Sequence, residues 1–186
     1  MLEVEVKYRA ADRDAVLVRL LALGADLAEE RVDVDHYFNA PDRDFKQTDE
    51  AFRLRQIGKA NWLTYKGPKR EAATKTRKEV EVRLRDGDAI AADMEALLVC
   101  LGYRPVAVVR KRRAIYDLDR PVGGKPGTAE VCFDDVDRVG SFVEIEVQAE
   151  ESEFEAAKAT VLGIARELGL TDQERRSYLE MLLANS

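Results

Sequence analysis

Short stretches of this chain carry carboxylates and cations at alternate positions, an arrangement that would let one surface hold a metal ion and a polyphosphate together. Glu3, Glu5 and Lys7 form the first set. Arg53 and Arg55, Lys66, the run Arg77, Glu79, Glu81 and Arg83, then Lys111 and Arg113, Glu130 and Asp134, and Glu144 and Glu146 follow. Carboxylate oxygens suit hard divalent cations, whereas guanidinium forks and ammonium groups suit phosphate oxygens. Like charges ~4 Å apart repel by ~4 kcal/mol at an effective dielectric of ~20, so such groups cannot be clustered without counter-ions. Either the acids and bases pair with one another, or a ligand carrying both signs of charge, a metal-complexed polyphosphate, pairs with them.

Other chemistries find little material. His36 is the one histidine, beside Tyr37 and Phe38 at a strand start, which leaves no His-rich zinc site. Cys100 and Cys132 lack metal-ligand spacing and read as reduced packing thiols. Gly123-Gly124-Lys125-Pro126 is a turn, because the spacing of a phosphate loop is missing. Thirty Lys and Arg stand against 36 Asp and Glu, a formal charge of −6, which argues against a nucleic-acid partner and requires any anion site to be concentrated. No apolar stretch approaches the ~20 residues that span a bilayer, and charge begins at Glu3, so a cytoplasmic protein with no membrane partner is expected.

Among the elements that must hold these residues, Leu2 to Arg9 alternate strictly and predict a strand. Asp12 then precedes a helical face of Val16, Leu17, Leu20, Leu21 and Leu23, ended by Gly24, which suits a left-handed cap. The pattern returns twice. Glu79 to Arg83 is followed by Ile90, Met94, Leu97, Leu98 and Leu101 before Gly102, and Glu144 to Gln148 by Phe154, Val161, Ile164 and Leu168 before Gly169. These three strand-then-helix units read as related copies. Further strands are expected over Val34 to Phe38, Ala51 to Ile57, Asn61 to Lys66, Val106 to Leu118 and Thr128 to Val136. Thr171-Asp-Gln-Glu174 fits a capping box for a short last helix that packs Tyr178, Leu179 and Leu182. About eight strands and four helices then make one α+β domain over residues 1–186. With helices on the apolar faces, the charged faces gather on one side of the sheet. Pattern alone leaves two arrangements open: an open sheet with a solvated charged face, or a barrel with a wet, charged interior.

The ordered series narrows this. Glu3-Val-Glu5-Val-Lys7 resembles the E-x-E-x-K signature of the CYTH superfamily, which joins class IV adenylyl cyclases to thiamine and inorganic triphosphatases. Asp33-Val-Asp-His-Tyr-Phe38, Asp42-Arg-Asp-Phe45, Thr48 to Arg55, Leu63-Thr-Tyr-Lys66-Gly-Pro68, Lys111-Arg-Arg113, Asp134-Asp-Val136 with Gly140, and Phe142 to Glu146 are similar to the bacterial and archaeal cyclase branch, over essentially the whole chain. The resemblance implies a closed eight-stranded antiparallel β-barrel, a tunnel flanked by helices, with the triphosphate of ATP or another triphosphate inside. Motif by motif, Glu3, Glu5, Glu144 and Glu146 would hold Mg2+ or Mn2+, with Asp134 near the same metal. Lys7, Arg53, Arg55, Lys66, Lys111 and Arg113 would hold phosphates. Arg77 falls on the same lining and either joins them or pairs with Glu79 and Glu81. Lys7, Lys111 and Glu79 are the catalytic candidates. The implied reaction is cyclisation of ATP to cyclic AMP and pyrophosphate; the alternatives are triphosphate hydrolysis and non-catalytic polyphosphate binding. The resemblance also allows a homodimer.

Overall fold

Strand register decides which side chains share a surface, and here it collects the charges. The computed structural model describes residues 2–69 and 77–185. Its strands are β1 (Leu2–Arg9), β2 (Asp26–Asn39), β3 (Ala51–Ile57), β4 (Ala60–Lys66), β5 (Glu79–Arg83), β6 (Arg104–Asp119), β7 (Thr128–Val136) and β8 (Gly140–Ala149). They form one sheet in the order β1-β8-β7-β6-β2-β3-β4-β5, with every ladder antiparallel. Glu5 stands opposite Glu146 and Lys7 opposite Glu144; Glu146 in turn faces Glu130. Arg113 faces Asp134, Asp33 faces Lys111, Asp35 faces Arg55, and Lys66 faces Glu79. Directly opposed residues point to the same side of a sheet, so all these groups share one concave face.

The other face is apolar and covered. Helices α1 (Arg13–Ala22) and α4 (Phe154–Glu167) bury Val16, Leu20, Val161, Ile164 and Leu168 against Val4, Val6, Val131, Val143 and Ile145. Helix α3 (Asp88–Cys100) sets Ala91 and Leu98 on Phe38 and Leu54. The three strand-then-helix units are therefore present as β1-α1, β5-α3 and β8-α4. Gly24, Gly102 and Gly169 close them with φ of 87°, 88° and 72°, left-handed values that carry no Cβ penalty at glycine. A one-turn helix α2 (Phe45–Thr48), capped by Asp44, was not anticipated by the periodicity.

Two expectations are corrected. The sheet curls into a half-barrel and is not a closed barrel: among the described residues no ladder joins β1 to β5, and only the isolated bridge Glu3–Arg77 spans the two sides. β5 has just five residues, and in the register set by the Glu3–Arg77 bridge it runs past the start of β1 at Leu2, which leaves it no strand to pair with there. The last helix also starts later than the Thr171–Glu174 box. α5 (Tyr178–Ala184) is capped by Ser177, whose Oγ accepts from Glu180 N at 3.1 Å while Glu180 Oε2 accepts from Ser177 N. Glu174 is used elsewhere: its backbone N–H donates to Lys7 O at 2.8 Å and its carboxylate accepts from Arg9 and Arg176. Held this way, α5 packs Tyr178, Met181 and Leu182 onto Tyr37, Val109, Val136 and Phe142 at one end of the concave face.

Candidate active site

The concave face and α5 enclose a cavity of about 660 Å³. Glu3, Glu5, Lys7, Arg53, Arg55, Lys66, Arg77, Glu79, Lys111, Arg113, Glu144 and Glu146 all line it, so the fold brings together every site residue expected from the sequence except Asp134. Asp134 lies just beneath the wall, fully buried. The charges are partly segregated: β1, β7 and β8, adjacent in the sheet, present Glu3, Glu5, Glu130, Glu144 and Glu146 with Lys7, β2, β3, β4 and β6 present the other cations, and β5 adds Glu79 and Glu81 at the far edge.

On the acidic wall, Glu3, Glu5 and Glu146 each offer a carboxylate oxygen within 4.8 Å of the others. Three hard oxygen donors converging from adjacent strands fit a divalent cation such as Mg2+ or Mn2+. Without a cation the cluster is electrostatically costly: burial and the charges of Glu3 and Glu5 push the Glu146 carboxyl up to about 8, despite the opposing pull of Arg113. Glu144 is drawn away from this trio by an ion pair with Arg113, and Asp134 is committed to cations below the wall.

The basic wall rests on Asp33 and Asp35, which stand in the motif Asp33 to Phe38 but received no role from the sequence. Arg55 clasps Asp35 through Nε at 2.6 Å and Nη2 at 2.8 Å, and Arg53 reaches the same carboxylate at 3.2 Å. Burial would raise the pKa of Asp35, but Arg53 and Arg55 outweigh it and hold Asp35 well below the usual range. Asp33, wholly buried, lies 3.6 Å from both Arg55 and Lys111. The alternation Arg31, Asp33, Asp35, Tyr37 was a legible signal for a charged β2 face; that these acids are counter-ions to β3 and β6 depends on strand order. Lys111 is 3.3 Å from Asp134, while burial and then Arg113 lower its pKa. Lys66 sits between Glu79 at 2.7 Å and Glu3 at 3.4 Å, a side-chain link across the seam that the backbone leaves open. Arg53 Nε is buried and finds no acceptor among the described residues, so a ligand oxygen in the cavity would complete it.

The remaining candidates fall as packing residues. His36 turns to the opposite face, 3.7 Å from Glu95 on α3. Arg83 stacks on Trp62 at 4.7 Å, and Trp62 does not line the cavity. Cys132 is fully buried, and burial holds its thiol protonated.

The CYTH domain matches residues 1–178. A Methanocaldococcus jannaschii protein provisionally named an adenylate cyclase is 34% identical over 97% of this chain and 98% of its own length. The adenylate cyclase CyaB of Aeromonas hydrophila is 29% identical over 95% of this chain and 86% of its own. A solved protein of Pyrococcus horikoshii superposes with a TM-score of 0.85 at 34% identity, covering 99% of both chains. No helix among the described residues is long and apolar enough to cross a membrane.

Proposed function

We propose, from the premise that this chain belongs to the CYTH domain family, that it is a divalent-metal-dependent class IV adenylyl cyclase converting ATP to cyclic AMP and pyrophosphate. One observation carries the reading: a carboxylate trio suited to a hard cation faces Lys7, Arg53, Arg55, Lys66, Lys111 and Arg113 across a single cavity. The names of the two curated relatives support the cyclase direction.

In this reaction the ribose 3′ oxygen forms a bond to the α-phosphorus as the bond from that phosphorus to the bridging oxygen of pyrophosphate breaks. Glu3, Glu5 and Glu146 would hold Mg2+ or Mn2+, which when bound would neutralise phosphate charge. Arg53, Arg55 and Lys66 grip the phosphate chain, and Arg113 stabilises the charge that develops on the departing pyrophosphate. Lys111, its pKa lowered by burial and Arg113, takes the 3′ hydroxyl proton on its neutral amine and, as the resulting ammonium, faces the departing pyrophosphate. Lys7 holds phosphate at the end of the cavity beside α5. Glu79 sets the position of Lys66 by their ion pair.

Incubation of purified protein with ATP and Mg2+ or Mn2+, read by mass spectrometry, tests the reading. Cyclic AMP and pyrophosphate in equal amounts support it. Orthophosphate from ATP or tripolyphosphate without cyclic AMP replaces it with triphosphate hydrolysis, and binding without any product replaces it with a polyphosphate-binding protein.

A further inference from the structure

Tyr178 was expected only to pack the last helix, yet its position is more demanding. It opens α5 directly after the Ser177 cap, and the chain before it is pinned by Glu174 to the backbone of Lys7. The ring lies under two lining cations, 3.9 Å from Lys7 Nζ and 5.4 Å from Lys111 Nζ. Lys7 Nζ also donates to Arg176 O at 2.6 Å. The phenol O–H donates to Asp134 Oδ2 at 2.7 Å. The same carboxylate accepts from Arg113 Nε at 2.6 Å and Nη2 at 2.5 Å, and from Lys111 at the longer distance of 3.3 Å. One side chain from the end of the chain thus touches the supports of cations on β1 and β6.

We infer that Tyr178 is a positioning residue of the anion site: its ring seats Lys7, and its hydroxyl satisfies Asp134 so that Lys111 can turn toward phosphate. The physical argument is competition for one oxygen. Asp134 is fully buried and needs donors. With the phenol in place, Oδ2 is supplied and Lys111 stays at a loose distance. With the phenol removed, Asp134 draws Lys111 in from 3.3 Å, and a phosphate chain must win that cation from a less satisfied carboxylate. Burial, then Glu144 and Asp134, hold the Tyr178 hydroxyl protonated, so the donor is constant.

This rests on the triphosphate reading above, and the test separates the two. Calorimetric titration with Mg2+-tripolyphosphate compares wild type, Tyr178→Phe and Leu182→Ala, the last a packing residue of α5 that does not line the cavity. Tyr178→Phe is expected to weaken binding about fivefold, the effect of ~1 kcal/mol, with the number of sites unchanged. Leu182→Ala is expected to lower thermal stability while keeping wild-type affinity. A Tyr178→Phe protein that keeps wild-type affinity, or loses sites in proportion to unfolded protein at constant affinity, overturns the positioning role alone. A wild-type protein that takes up no tripolyphosphate overturns both readings.

Discussion

Glu146 gives the strongest prediction, because its carboxyl is held at about 8 by burial and by Glu3 and Glu5, against an ordinary glutamate near 4.5. At ~1.4 kcal/mol per pH unit, that difference of about 3.5 sets a ceiling of ~5 kcal/mol for what ionising Glu146 costs the metal-free fold. The sign follows from proton counting. Between about 4.5 and 8 the folded protein holds a proton on Glu146 that the unfolded chain has released, so the contribution of Glu146 to stability is fully present below 4.5 and is lost as pH rises through 8. Lys111 acts oppositely: its pKa is lowered, so the unfolded chain binds more protons just below pH 10.5, and stability there rises with pH. Urea unfolding in EDTA at pH 5.5, 7 and 8.5 should show falling stability for wild type and a flatter profile for Glu146→Gln, with the variant the more stable at pH 8.5. Added Mg2+ or Mn2+ should restore wild type at pH 8.5 and do less for the variant. Parallel pH profiles for the two proteins, with or without metal, would refute the carboxylate-cluster argument.

Other outcomes follow from the same geometry. Arg55→Ala leaves Asp35 buried without its main cation and removes one partner of Asp33, and should cost ~3 kcal/mol in urea unfolding; adding Asp35→Asn should recover part of it. Glu5→Gln removes a charge from the trio, so the metal concentration for half-maximal activity should rise roughly tenfold while the metal-free protein becomes no less stable. Gly169→Ala should lower stability by ~1–2 kcal/mol, since φ is 72° and a new Cβ would lie 2.2 Å from Arg19 Nη1, displacing the guanidinium from Leu168 O; a thermal melt reads this directly.

Much of the architecture was legible because alternation and helical periodicity are local. Period two placed Glu3, Glu5, Lys7, Arg53, Arg55, Lys66, Lys111, Arg113, Glu144 and Glu146 on one face of their strands, and the fold gathers them around one cavity. Gly24, Gly102 and Gly169 announced helix ends because their backbones need no neighbour to explain them. The Thr171–Glu174 box failed for a tertiary reason: Lys7, Arg9 and Arg176 claim Glu174, while Ser177 caps the helix instead.

Residue types and spacing alone settled which side chains alternate and what chemistry they could share, since steric preference and hydrophobic period act within a few residues. Partnership was decided by the fold. That Asp33 and Asp35 neutralise Arg55 and Lys111, that Asp134 lies beneath the wall while Glu3, Glu5 and Glu146 meet, and that the sheet stays open between β1 and β5 all depend on strand order and register. Electrostatic pairing falls steeply with distance in a low-dielectric interior, so only the long-range pairing of strands determines which charges come close enough to matter.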